Sequence, residues 1–169
     1  SVESSEGAGS TFFIRLPLEM ATESAIATEQ PQENTDTTHH NPHKYRILLV
    51  EDSDINLKVM AAMLKKIGYQ TSLATDGQKA VTALKEGDFD LVLMDCTMPV
   101  LDGYQATALI RDEATGVKNP KIPVVAMTAR AMQGDREKCL QAGMNDYLSK
   151  PVVWETLTTV LHRWLSPPT

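Results

Sequence analysis

The chain has 169 residues, 42% hydrophobic, 22% charged and 5% aromatic, with a formal net charge of −6. That is enough for one domain of ordinary size with residues to spare, or two very small ones. The acidity is uneven: residues 1–43 carry seven carboxylates against one base, Arg15, whereas residues 44–169 carry 15 of each. No stretch supplies the one-sided basic surface that nucleic acid requires, no apolar run approaches the ~20 residues of a membrane-spanning helix, and no secretory signal pattern opens the chain.

In chain order, residues 20–44 (MATESAIATEQPQENTDTTHHNPHK) are polar and hold two prolines. Such a segment cannot bury enough surface to offset its ordering entropy, so it is read as a disordered polar linker. His39, His40 and His43 within it lack cysteines or carboxylates at ligand spacing and are read as solvated. From Lys44 onward, short apolar runs without alternation predict strands buried on both faces of a parallel sheet. They are Arg46–Val50 (RILLV), Asp90–Met94 (DLVLM) and Ile122–Met127 (IPVVAM), with Tyr69–Ala74 as a more mixed edge strand and Asp146–Ser149 as a weaker fifth. Between them lie helical patterns. The first places Ile55, Val59, Ala62, Met63 and Ile67 on the buried stripe and stops at Gly68; the second, 77–86, buries Ala80, Val81 and Leu84 and stops at Gly87. Residues 104–114 and 135–142 follow, the latter with only Cys139 and Leu140 clearly apolar. A last helix, about 152–165, aligns Val153, Leu157, Val160, Leu161 and Trp164 before Pro167 and Pro168. Strands alternating with helices in this way predict a (βα)5 doubly wound, five-stranded parallel sheet with helices on both faces. Cys96 and Cys139 are too few for a disulfide scaffold and fit a reducing compartment.

The residues just past each strand are the informative feature. RILLV ends in Glu51-Asp52, DLVLM in Asp95, IPVVAM in Thr128 and DYLS in Lys150. The strand C-termini of an open α/β sheet line one edge, where ligands bind, so three carboxylates, a hydroxyl and an ammonium converge. Crowded carboxylates stay ionised only beside a cation, and Mg2+ accepts oxygen ligands of this kind. One carboxylate can then act as nucleophile toward a phosphoryl group, whose oxygens Lys150 and Thr128 would contact. Each residue taken alone has a plainer reading, as a helix cap, turn former or strand-end polar group.

The blocks LLVEDSDIN, LVLMDCTMPVLDGY, VVAMTA and DYLSKP, all in order, resemble the response-regulator receiver domain over about residues 45–166, with 167–169 as a tail. The resemblance implies a flavodoxin-like fold and makes Asp95 the phosphoacceptor. Asp52 would be a direct Mg2+ ligand, Glu51 would act mainly through water, and Thr97 would contribute its backbone carbonyl. It further implies that Thr128 and Lys150 contact the phosphoryl group, that Thr128 and Tyr147 form the switch, and that Lys150-Pro151 is cis. The stretch ATGVKNPK at 114–121 is longer than in compact receivers and reads as a surface loop. Cys96, Thr97 and Arg130 are expected to flank the path of the attacking water.

Residues Glu6–Leu18 (EGAGSTFFIRLPL) resemble the closing strands of a histidine-kinase ATPase domain, which makes 1–19 a kinase remnant. Kinase end, linker and receiver in that order imply the C-terminal part of a hybrid sensor histidine kinase. The expected partner is a histidine phosphotransfer domain or the dimerisation domain of the parent kinase, with no nucleic acid, no membrane contact and a monomeric, cytoplasmic state. Without most of the kinase fold, this chain is expected to catalyse only its own aspartyl phosphorylation and dephosphorylation and not to bind ATP, with residues 1–44 largely disordered. Two other readings remain: a receiver-like docking module that works without phosphorylation, and an Asp-nucleophile phosphatase of the haloacid-dehalogenase kind. The latter needs a second acid two residues past the nucleophile, where this chain has Thr97.

Overall fold

The structure, a computed structural model, describes residues 2–5, 9–12, 44–129 and 133–165. The chain divides into two units, Ser1–Asp36 and Thr37–Thr169. In the first, β1 (Val2–Ser5) pairs antiparallel with β2 (Gly9–Phe12), from Val2↔Phe12 to Ser5↔Gly9. A lone two-stranded ladder is marginal in water, so this pairing leaves the expectation of a disordered N-terminal tail standing. The rest of the kinase-like segment and of the linker lies outside the described residues, as do Arg130 and the prolines after the last helix.

The second unit alternates strands and helices: β3 (Arg46–Val50), α1 (Asp54–Ile67), β4 (Gln70–Ala74), α2 (Gly77–Glu86), β5 (Leu91–Asp95), α3 (Gly103–Arg111), β6 (Val124–Thr128), α4 (Gln133–Gln141), β7 (Asp146–Ser149) and α5 (Trp154–Leu165). The sheet is parallel throughout, in the order β4-β3-β5-β6-β7, so the mixed strand β4 does lie at an edge. β5 and β6 run one residue further than their apolar blocks, which makes Asp95 and Thr128 the last residues of their strands.

Alternation along the strands divides the core in two. Ile47, Leu49, Leu91, Leu93, Val125, Met127 and Leu148 face α1 and α5. Leu48, Val50, Val92, Met94, Val124 and Ala126 face α2, α3 and the one buried cysteine of α4, Cys139. Period-two geometry carries this division past the strand ends. Glu51 and Asp95 continue the α1/α5 side, whereas Cys96 continues the opposite side and is buried against Cys139, Sγ to Sγ 4.0 Å. Cys96 is therefore turned away from the acceptor edge and does not flank a water path there.

α1 corrects the expected stripe. Leu57, Met60 and Leu64 face the core, while Ile55 and Val59 are 75% and 55% exposed. Met63 and Ile67 of the expected stripe are half-buried against the same core, while Ala62 is exposed with Ile55 and Val59. In α5 the buried set is Leu157, Val160, Leu161 and Leu165, and Val153, which precedes the helix, is exposed. Short polar side chains start the helices: Ser53, Asp76 and Asp102 accept from the backbone N–H of Asn56, Lys79 and Gln105 respectively. Gly68 closes α1 with φ 106°, as a left-handed C-terminal residue should.

The loop after α3 is tied down rather than free. Glu113–Thr115 forms a 3-10 turn, and Val117 is buried in the core. Arg111 donates Nε to the Gly143 carbonyl at 2.9 Å and Nη1 to the Pro120 and Ile122 carbonyls at 2.7 and 2.9 Å; Nη2 donates to Asn145 Oδ1 at 2.8 Å.

Candidate functional site

The carboxyl ends of β3, β5, β6 and β7 bring the strand-end polar residues together. One carboxylate oxygen each of Glu51, Asp52 and Asp95 lies within 4.8 Å of the others. Glu51 and Asp95 are almost fully buried, and Asp52 is exposed at the mouth. Lys150, which follows β7, spans the buried pair, its Nζ 2.6 Å from Glu51 Oε2 and 2.8 Å from Asp95 Oδ2. Its backbone N–H donates to the carbonyl of Thr128 at 2.8 Å, linking the ammonium-bearing loop to the end of β6. The Lys150-Pro151 peptide is cis, as the resemblance implied.

Thr97 is exposed beside the acceptor edge and donates its backbone N–H to Asp95 Oδ1 at 3.1 Å. The chain then turns back through Val100, with φ 70°, and the Leu101 N–H donates to the Pro99 carbonyl at 2.8 Å. Gly103 packs so closely that a Cβ there would lie 2.1 Å from the carbonyl oxygen of Asp95. Only glycine permits that approach.

Two buried carboxylates share one ammonium here. Burial raises the Asp95 pKa above the ordinary carboxylate value, and the hydrogen bond from Lys150 only partly opposes it. For Lys150, burial acts to lower the pKa, but hydrogen bonds and charge from Asp95 and Glu51 outweigh it, so the pKa is raised. The directions are consistent: a cation between two anions is favoured in its charged form, while Asp95, buried and sharing that cation, is less favoured as an anion than an ordinary carboxylate. A second cation would relieve the remaining charge. Three oxygen donors, one of them open to solvent, suit a hard divalent ion such as Mg2+.

Sequence reasoning identified Glu51, Asp52, Asp95 and Lys150, and the fold gathers them. Thr128 ends the adjacent strand, nearly buried. Tyr147 is set apart on edge strand β7, 37% exposed, in a groove with Arg136, Ser149, Glu155, Thr159 and Arg163. Sequence reasoning missed Asn56, whose Nδ2 donates to Glu51 Oε1 at 2.9 Å. The available signal was an amide residue in the first turn of a helix that already has its cap in Ser53.

A family model, the response regulator receiver domain, matches residues 47–162. Among curated proteins, the chain is 36% identical over 171 residues to histidine kinase 5 of Arabidopsis thaliana, covering 88% of this chain and 18% of that protein. It is 40% identical over 119 residues to the sensor protein GacS of Pseudomonas syringae pv. syringae, covering 70% of this chain and 13% of that one. The chain thus spans less than a fifth of the length of these relatives. Among solved structures, the receiver domain of a Pseudomonas aeruginosa sensor histidine kinase, with a magnesium ion coordinated in its active-site cleft, is 48% identical with TM-score 0.66, covering 73% of this chain and 98% of that one. The co-crystal structure of the Saccharomyces cerevisiae histidine phosphotransfer signalling protein Ypd1 and the receiver domain of its downstream response regulator Ssk1 gives 37% identity and TM-score 0.67, covering 72% of this chain and 88% of that one.

Proposed function

The chain belongs to the response regulator receiver domain family, and we propose that within it Asp95 accepts a phosphoryl group from a phosphohistidine and later releases it to water. The supporting observation is the buried Glu51–Lys150–Asp95 bridge, with Asp52 open beside it. An Asp95 carboxylate oxygen attacks phosphorus, the histidine N–P bond breaks, and the imidazole leaves with the electron pair. Hydrolysis of the resulting aspartyl phosphate returns inorganic phosphate and the carboxylate. Lys150 already contacts Asp95 and can follow the transferred charge, and Thr128 offers a short hydroxyl donor from the next strand. Asp52, Asp95 and the carbonyl of Thr97 would hold Mg2+, with Glu51 acting through metal-bound water, and the ion when bound would neutralise charge developing on the phosphoryl oxygens.

The phosphodonor in this reading is a histidine phosphotransfer domain or the dimerisation domain of a parent hybrid kinase, with residues 1–19 as the end of its ATPase domain, 20–44 as linker and 45–166 as receiver. Ile55 and Val59, one turn apart on α1, are exposed, as is Val153 ahead of α5. A hollow of about 150 Å³ reaches Glu51 and Lys150 of the site and has an apolar rim of Val59, Met60, Pro151 and Val152. Such a rim suits the face of an amphipathic helix that presents the phosphohistidine. Among the described residues no helix is long and apolar enough to cross a membrane.

Intact mass after incubation with acetyl phosphate and Mg2+ tests this reading. One added phosphoryl group is expected, abolished by a chelator and by Asp95→Asn. Undiminished labelling of Asp95→Asn would overturn the assignment of the acceptor.

A further inference from the structure

Resting on the reading of Asp95 as acceptor, we infer that Asn56 is a positioning residue that fixes the orientation of Glu51, keeping it a partner of Lys150 and of metal-bound water rather than a direct metal ligand. Glu51 has two carboxylate oxygens, and both are engaged: Oε1 accepts from Asn56 Nδ2 at 2.9 Å and Oε2 from Lys150 Nζ at 2.6 Å. With Glu51 only 1% exposed, bulk water cannot reorient it, so these two donors do.

The donors differ in kind. Lys150 is a point charge on a flexible stem that already divides itself between Glu51 and Asp95. It is free to follow charge onto a phosphoryl oxygen. Asn56 is a short amide in the first turn of the 14-residue α1, capped by Ser53 and closed by Gly68. When Lys150 moves, Asn56 is the donor that stays. Without it, a nearly buried carboxylate would lose both partners as the phosphoryl group arrives, a heavy penalty for a charged group. Glu51 would then hold Lys150 back or turn toward the ion. Helix formation gives no reason for Asn at this position, since Asn is a poor helix former and the cap is already supplied by Ser53.

The test uses the full chain, Asn56→Leu, Glu51→Gln and the double variant, with far-UV circular dichroism confirming the fold. In metal-free protein the side-chain amide resonances of Asn56 should move in Glu51→Gln, because their acceptor changes. Mg2+ affinity, from amide shift titrations, and phosphorylation rate with acetyl phosphate are then compared. Loss of a hydrogen bond to a group beside the ion typically costs 10–100-fold in affinity or activity, so Asn56→Leu should lose about tenfold in at least one measure. The double variant should be no worse than Glu51→Gln alone, since residues acting through one another are not additive. Asn56→Leu within about twofold of the parent in both measures, or losses that multiply in the double variant, would overturn the inference. Unmoved Asn56 amide resonances in Glu51→Gln would overturn it equally, and that readout needs no Asn56 variant to fold. A parent chain that binds Mg2+ but takes no phosphoryl group would instead sink the acceptor reading, leaving the amide resonances and the Mg2+ affinities to decide on Asn56.

Discussion

The two flanks of the acceptor edge are built differently. On the β3–α1 flank, Glu51 is held by Asn56 and Lys150, and α1 buries Leu57, Met60 and Leu64 beneath. On the β7–α4 flank, Tyr147 is exposed, and of the described α4 side chains at 136–141 only Cys139 is buried, with Leu140 50% exposed. The braced flank suits chemistry, which needs groups held in place. A flank with few buried apolar anchors opens at lower cost than a braced one, and a small energetic bias then shifts its population. On this reading, phosphorylation at Asp95 draws Thr128 toward a phosphoryl oxygen, and Tyr147 and α4 report it.

The contrast can be broken most severely at Lys150. Lys150→Met leaves the buried Glu51 and Asp95 without their cation, and removing one partner of a buried ion pair costs about 3–5 kcal/mol. Urea unfolding in metal-free buffer near neutral pH should show this, with part of the loss recovered by Mg2+. Arg111→Ala comes next. It removes the hydrogen bonds that tie residues 120–122 to Gly143 and Asn145 beneath α4, and about 2–3 kcal/mol is expected from bonds to a charged group.

Asp95→Asn should act in the opposite direction. The folded-state pKa of Asp95 lies above its ordinary value, so Asp95 binds its proton more tightly in the folded than in the unfolded chain. The native-state advantage of that proton is fully present below the unfolded-state pKa and lost as pH rises through the folded-state value. Near neutral pH without metal, Asp95→Asn should therefore raise the melting temperature. The gain should shrink as pH falls and Asp95 itself becomes neutral. Leu140→Ser, on the exposed face of α4, should change stability least, within about 0.5 kcal/mol, against about 2–5 kcal/mol for Leu64→Ala on the buried face of α1. Equal losses for the two would erase the distinction between the flanks.

Most of this arrangement is readable from the residues. Strands buried on both faces announce themselves as unbroken runs such as RILLV and VVAM, and a parallel sheet forces their polar ends to one edge. The face of α1 is not fully readable, because Ile55 and Val59 repeat with nearly the same period as Leu57, Met60 and Leu64; only the sheet decides between them. Nor does the polar stretch after α3 reveal that Val117 is buried, since a single valine has no period. Cys96 was misplaced by proximity in sequence, where the alternation of β5, continued by one residue, turns it to the opposite face. Asn56 stayed hidden because its role depends on the distance between the first turn of α1 and the end of β3, and no local pattern carries that distance.

The central claim is that one flank holds the chemistry and the other reports it. Amide chemical shifts of the full chain, with and without beryllofluoride and Mg2+ as a mimic of the phosphoryl group, test it most directly. The expected result is changes at Asp52, Asp95, Thr128 and Lys150 together with changes at Tyr147 and along α4, while the buried face of α1 stays in place. Changes confined to the loops around Asp52 and Asp95, with Tyr147 and α4 unmoved, would contradict it.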